Sequence, residues 1–327
     1  MSESVSTDIL EIPADQCGQR LDRVLPLLYP GLSRSRLVAL LRDGNLSLMN
    51  NRGEKIDASP SQRVQGNERV RLHKIPALIP TEVEAQPVEL DLIYQDDDLL
   101  VINKPAGLVM HPAAGNPDST VQNGLLYLNE SQRDLPRAGI VHRLDKDTTG
   151  LFVVACSHRA HSSLVEQLQT RSMSRKYMAL VYGEMIAGGS IDAPIARHPR
   201  DRLKMAVVRD GKPAITHFRV AEHLGALTLI DVSLESGRTH QIRVHMAYRH
   251  HPIVGDQTYG GRRRKPAGFR ELVGKLVSEF GRQALHARCL SLIHPANGKE
   301  MEFSAPLPDD FDMLLNAVRS DLNKKDR

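Results

Sequence analysis

The feature that most constrains this chain is an abrupt reversal of charge early in its length. From Gly18 to Lys74 there are 11 Lys/Arg against 5 Asp/Glu, whereas Ile75 to Asp98 carries seven acids, no Lys or Arg, and Pro76, Pro80 and Pro87. Prolines fix φ and lack a backbone donor, so this acidic stretch resists helix and reads as a connector behind a small basic module. Length points the same way, because 327 residues exceed the size at which one hydrophobic core usually stops growing. The expected organisation is a flexible N-terminus at 1–17, a basic module at 18–74, a linker at 75–90 and a larger domain at 91–327. An extended polyanion is the natural partner of the basic module, although charge by itself fits a solvated surface equally well.

Composition narrows the class. The chain is 41% hydrophobic and 25% charged, as a globular protein is, but only 4% aromatic with no Trp. Its core must therefore be built from Leu, Val, Ile and Met, with few platforms for stacking bases. Cys17, Cys156 and Cys289 form no CxxC and leave one thiol unpaired under any pairing, which predicts a reducing, cytoplasmic compartment. The amino terminus has acids before its first apolar pair and no continuous apolar run, so no secretory signal is expected. No apolar run exceeds six residues, far below the ~20 that cross a bilayer, and no membrane association is expected.

In the basic module Leu21, Val24, Leu25 and Leu28 recur at helical spacing, and Pro30 with Gly31 stops that helix. Ser33 is placed to cap a second helix with the stripe Leu37, Leu40 and Leu41, and Gly44 to end it. Leu46, Leu48, Val64, Val70 and Leu72 predict short strands beyond it. In the larger segment strands are predicted at 92–94, 99–103, 151–156, 177–182 and 227–234, and helices at 158–170 and 311–322. Regular βα alternation is absent, so the class is mixed α+β, not a doubly wound parallel sheet.

The chain has no GxxxxGK[ST], GxGxxG, HExxH or GxSxG, so no nucleotide, metal or other cofactor is expected. His240 and His245 are five residues apart, a poor fit to one helix face, and these histidines are expected to bond backbone or RNA. Three constellations remain. In GIVHRLDKDTTGLFVVAC a loop beside a strand presents Asp145, with Arg143 before it and Thr148, Thr149 and Gly150 after. The same residues also suit a plain turn. In LESGRTHQIRVHM the SGRT segment starts a helix on which Arg243, or else Arg238 ahead of it, can hold a buried carboxylate bidentately. In SRKYMALVYG, Tyr177 opens a strand, where its ring can stack on a flipped base and its hydroxyl can handle a proton, or where it simply packs in the core. In an extended chain Asp147 would crowd Asp145 on one face, which argues against a glycosidase-like pair of carboxylates. Basic runs at 197–204 and 262–265 offer further phosphate contacts or are solvated loops.

The run GQRLDRVLPLLYPGLSRSRLVALLRDGNL with GNERVRL resembles the S-four-like RNA-binding domain, which implies that Arg34 and Arg36 face phosphates. The texts LDLIYQDDDLLVINKPAGLVMHP, VHRLDKDTTGL, SRKYMALVYG, SGRTHQIRVHM, DQTYGG and LHARCLSLIHP resemble the RluA family of RNA pseudouridine synthases, over about Gly18 to Pro308. The resemblance implies a mixed, largely antiparallel catalytic sheet behind a small α/β RNA-binding domain. It further implies that Asp145 is catalytic, that Tyr177 lies opposite the target base, that Arg243 pairs with Asp145 and that Arg143 displaces the base. Leu290 would pack under the base, with Leu292 as the neighbour able to replace it. The implied activity is uridine isomerisation in large-subunit (23S) rRNA, within assembling ribosomal particles. Competing readings are a synthase acting on tRNA or another rRNA site, a non-enzymatic RNA-binding assembly protein, and a class I aminoacyl-tRNA synthetase, which RSMSR echoes without any HIGH-like partner.

Overall fold

A computed structural model describes residues 9–29, 32, 34–73, 83–113, 115–201, 203–260 and 265–324, apart from the side chains of residues 35 and 36. The chain divides into two compact units, Met1–Glu82 and Val83–Arg327. The first contains β1 (Ile9–Glu11), α1 (Leu21–Leu28), α2 (Arg34–Arg42), β2 (Leu46–Met49), β3 (Lys55–Ile56) and β4 (Arg69–Leu72). Its strands form an antiparallel sheet in the order β1-β4-β2-β3. The helical stripes work as their spacing requires: Leu21 and Leu25 of α1 and Leu37 and Leu40 of α2 are fully buried with Leu48 and Val70 of the sheet. Truncating one such leucine to alanine costs about 2–5 kcal/mol. β4 alternates with the period of a strand, Arg69 and Arg71 outward and Val70 and Leu72 inward. Pro30, Gly31 and Ser33, predicted to stop one helix and cap the next, lie outside the described residues.

The second unit contains β5 (Asp91–Gln95), β6 (Leu99–Lys104), α3 (Val121–Leu128), β7 (Thr149–Ala155), α4 (His158–Gln169), β8 (Ser174–Tyr182), β9 (Gly189–Asp192), β10 (Ile195–Arg197) and β11 (Met205–Val207). It continues with β12 (Ile215–Leu224), β13 (Leu227–Leu234), α5 (Gln241–Tyr248), α6 (Glu271–Glu279), β14 (Leu285–Ile293), β15 (Glu300–Ser304) and α7 (Asp309–Asn323). One nine-stranded sheet runs β5-β6-β7-β14-β8-β13-β12-β9, with β15 on β14, and β10 and β11 form a separate ribbon. Only β7 and β14 pair in parallel among the described strands of this sheet, so the architecture is the mixed, largely antiparallel one expected.

β7 is buried along its whole length. Phe152 and Val154 face an apolar cluster that includes Ile102, Tyr177 and Leu285, while Leu151, Val153 and Ala155 face another with Leu99, Val101 and Leu290. A strand covered on both faces needs an unbroken apolar run, which is why LFVVAC is so legible. β12 is harder to read because its half-wet alternation places His217, Arg219 and His223 among its apolar residues. Lys74 of the expected basic module, residues 75–82 of the expected linker, and Arg202 and 262–264 of the basic runs lie outside the described residues. Residues 83–90 are pinned to α3: Asn123 Nδ2 donates to the Glu84 carbonyl at 2.8 Å and the Gln86 amide to the Asn123 carbonyl at 3.1 Å.

Candidate active site

Asp145 lies between Leu144, which is buried, and the start of β7. The chain turns there, the Thr148 amide donating to the Asp145 carbonyl at 3.1 Å. This corrects the expectation of an extended segment: the turn breaks side-chain alternation, and Asp147 does not line the pocket into which Asp145 faces. The loop is gripped from behind by Lys104 at the end of β6, whose Nζ donates to the carbonyls of Pro105 (2.7 Å), Leu108 (2.9 Å) and Lys146 (2.7 Å). Burial pushes the Lys104 ammonium down to about 7, against the opposing pull of the Asp147 and Asp145 carboxylates. Gln283 Nε2 donates to Thr148 Oγ1 at 3.1 Å, and Arg282 Nη1 to the Asp147 carbonyl at 3.3 Å. Gly150 has φ +108°, and a Cβ there would meet the Ala287 carbonyl oxygen at 2.2 Å, so the close junction of β7 with β14 requires glycine.

The arginine arrives from α5. His240 takes a left-handed φ of 57° at the helix N-cap, and Gln241 Oε1 accepts from Ser236 Oγ (2.8 Å) and the Arg238 amide (3.0 Å), fixing the SGRT turn. Arg243 Nη1 donates to Asp145 Oδ2 at 3.0 Å. Its other edge clamps Asp256, Nε to Oδ2 at 2.7 Å and Nη2 to Oδ1 at 2.9 Å, and its guanidinium carbon stands 5.2 Å from the centre of the Tyr259 ring. The bidentate grip therefore falls on Asp256 and a single bond on Asp145. Arg238, the other candidate, donates to the Pro213 carbonyl instead at 3.2 Å. Burial opposes the Arg243 charge, but the bonds to Asp256 and the field of Asp145 outweigh it and raise its pKa. Burial likewise works against the Asp256 carboxylate, and Arg243 more than reverses it, leaving that pKa lowered. His240 Nδ1 is 2.8 Å from the Tyr259 hydroxyl and its Nε2 is 3.9 Å from Asp145 Oδ1; burial lowers its pKa while Asp145 opposes.

Tyr177 comes from β8, in register with Val232 and Ala287 on the neighbouring strands. It is buried, and its hydroxyl enters no hydrogen bond among the described residues. Burial raises its pKa, with Arg175 opposing and Asp145 adding. A pocket of about 50 Å³ is lined by Asp145, Tyr177, Ile242, Arg243 and Leu285, with the exposed Arg143 at its edge. Asp145, Tyr177, Arg243 and Arg143, drawn from three separate stretches, thus meet at one place. Asp145 is the one carboxylate among the lining residues. A carboxylate anchored in this way suits attack or proton removal at a sugar carbon, without the second carboxyl group of a glycoside hydrolase.

Leu290 does not line this pocket. It packs with Leu99, Val101, Leu151 and Leu292 in the opposite layer, and Leu285 stands at the pocket in its place. The register of β14 shifts between Ala287 and Cys289, so counting by twos along LHARCLSLI does not reveal which leucine looks inward. In the first unit Arg34 Nη2 donates to Asp22 Oδ2 at 2.8 Å, and Arg20 shares that carboxylate at 2.9 Å. The two arginines hold the Asp22 carboxyl well below the usual range, Arg20 contributing most. The Arg36 side chain lies outside the described residues. His245 bonds to the Ala193 carbonyl (2.9 Å) and Thr216 (2.8 Å), the backbone role expected of a buried histidine. Lys104 and Asp256 stand in the texts INKPAG and DQTYGG, but nothing local to either shows that the lysine is buried or that the aspartate faces Arg243.

A family model described as RNA pseudouridylate synthase matches residues 98–248. The chain is 51% identical over 312 residues to the ribosomal large subunit pseudouridine synthase D of Salmonella typhimurium, covering 95% of this chain and 94% of that one. It is 48% identical over 315 residues to the protein of the same name from Escherichia coli K12, covering 96% and 94%. Among solved structures, human RNA pseudouridylate synthase domain containing 4 superposes with a TM-score of 0.55 at 28% identity, over 70% of this chain and 93% of that one. Human RNA pseudouridylate synthase domain containing 1 gives 0.52 at 26%, over 72% and 97%. Fold, pocket and likeness agree, and the chain belongs to the RluA family of RNA pseudouridine synthases, enzymes that isomerise uridine within RNA.

Proposed function

We propose that this enzyme converts specific uridines of large-subunit (23S) rRNA to pseudouridine, with Asp145 as the catalytic residue. The observation that carries the reading is Asp145, held by Arg243 and sharing one small pocket with Tyr177. In the reaction the C1′–N1 bond breaks, the uracil turns, C1′ joins C5, and the proton on C5 leaves while N1 regains one. The Asp145 carboxylate serves as nucleophile at C1′ or as base toward the sugar, and Arg243 aims it for either. Atoms balance without a co-reactant, so the chemistry calls for no nucleotide or metal. Extruding the base costs a few kcal/mol of stacking, and Arg143, exposed at the pocket edge, fills the gap left behind. Leu285 and Tyr177 enclose the extruded base and exclude water from the detached uracil.

The basic first unit, with Arg34 and Arg36 on its second helix, supplies phosphate contacts in this reading. An incompletely packed particle makes base extrusion easier, which favours ribosome assembly as the setting. Free Cys17, Cys156 and Cys289 support a reducing, cytoplasmic one. The names of the relatives support the substrate. The test is tritium release from 23S rRNA transcribed with uridine labelled at C5, beside a tRNA pool, for wild type and Asp145→Asn. Release from 23S rRNA by wild type alone is expected. Release only from tRNA overturns the substrate, and equal release by Asp145→Asn overturns the role of Asp145.

A further inference from the structure

Arg175, on β8 two residues before Tyr177, is only 8% exposed, yet its side chain takes no part in any ion pair or hydrogen bond among the described residues, and its Nε is buried without a partner. Arginine cannot shed its proton, so a buried, unpaired guanidinium is costly and points to an anion that arrives from outside. Nearby acids are already engaged: Asp145 with Arg243, and Glu235 with Arg171 and His217. Its position is equally informative. Arg175 lines both the catalytic pocket and an adjoining groove of about 620 Å³, and the two share Arg143, Arg175, Gly237 and Arg238. The groove is also lined by Arg137 and Arg171, which suits a polyanionic strand. A Cβ on Gly237 would lie 2.8 Å from Arg175 Nη1, so glycine leaves the guanidinium room beside the backbone.

An RNA strand lying in the groove with its target nucleoside in the pocket must cross from one to the other where these shared residues stand. What sits at that crossing is the phosphodiester next to the extruded sugar. We propose that Arg175, flanked by Arg143 and Arg238, binds the phosphate adjoining the target uridine and so registers the strand relative to Asp145. The proposal rests on the reading of the site as one that isomerises an extruded uridine.

The experiment is a cycle between protein and substrate. Wild type, Arg175→Gln and Arg175→Lys are titrated with the shortest rRNA hairpin that wild type isomerises, carrying a neutral methylphosphonate in place of either phosphate next to the target. Wild type should lose about tenfold in affinity for one of the two substituted hairpins, the scale of one charge-assisted contact. Arg175→Gln should bind the unmodified hairpin about tenfold more weakly and be nearly blind to that substitution, and Arg175→Lys should recover part of the loss. Because the Arg175 side chain has no partner among the described residues, its replacement should not lower the thermal midpoint. Losses that multiply between variant and methylphosphonate overturn the proposal. So does a loss confined to the saturated rate with affinity unmoved, which would assign the guanidinium to the departing uracil, and so does a lowered midpoint with no phosphate coupling, which would make it structural. If wild type isomerises no rRNA uridine but does modify tRNA, the substrate reading fails separately and the same cycle on the tRNA hairpin decides the role of Arg175.

Discussion

Asp256 does not line the catalytic pocket, yet its replacement by asparagine should be among the most damaging single changes. The substitution keeps the shape of the side chain and keeps Oδ1, which accepts the amides of Thr258 (2.9 Å) and Tyr259 (3.0 Å). It replaces Oδ2, 2.7 Å from Arg243 Nε, with an amide N–H that opposes another donor. The side chains of Arg243 and Asp256 are 8% and 0% exposed, so water cannot take over the lost bond. Losing one buried charge-assisted hydrogen bond costs about 1.5–3 kcal/mol, or roughly 3–12 °C in thermal midpoint for a unit of this size. Catalysis suffers more, because Arg243 loses the clamp that aims it at Asp145, and misplacement on the order of 1 Å costs about a hundredfold in rate. Single-turnover tritium release with saturating RNA, compared across Asp256→Asn, Arg243→Gln and the double variant, measures this. Asp256 acts through Arg243, so the double variant should be no slower than Arg243→Gln alone. Losses that multiply, or an Asp256→Asn rate within twofold of wild type, would refute the reasoning.

Three further outcomes are expected. Tyr177→Phe keeps the ring and removes a hydroxyl that bonds to nothing among the described residues, so folding should be undisturbed while the single-turnover rate falls by about 10²-fold or more if that hydroxyl handles a proton; a rate within twofold would leave the ring as its whole contribution. Lys104→Met removes three hydrogen bonds to carbonyls, one of them to Lys146 beside Asp145, which keeps only the Gly107 amide at 3.0 Å, and should cost about 3 kcal/mol in urea unfolding together with a slower saturated rate; a rate unchanged despite lost stability would detach the lysine from the aspartate loop. His286 is buried between Thr149 and the Ala305 carbonyl, and burial pushes its imidazole from 6.5 down to about 4. The unfolded chain takes up that proton at higher pH than the folded one, so its stabilising contribution is complete above pH 6.5 and is lost as pH falls toward 4. The loss is about 3 kcal/mol at most. Urea midpoints at pH 7 and 4.5 should differ less in His286→Gln than in wild type, and equal differences would reject this assignment.

Much of the protein is written locally. The 3.6-residue recurrence at Leu21, Val24 and Leu25 and the apolar run through β7 depend only on which face each element buries, so they are legible without a partner. The polar loop at Asp145, the strand tyrosine and the SGRT turn ahead of Arg243 are equally local, because turn and cap chemistry is settled within a few residues. Other features have no local cause. Thr149 and His286 are 137 positions apart, and only their pairing brings β7 beside β14 and sets Leu285, not Leu290, at the pocket. Asp256 becomes the anchor of Arg243, Lys104 becomes a buried clasp and Arg175 becomes a cation without a partner among the described residues only when strands from distant stretches close around them. Side-chain periodicity states that a face is buried, whereas the identity of what buries it is fixed by packing among elements the chain itself keeps far apart.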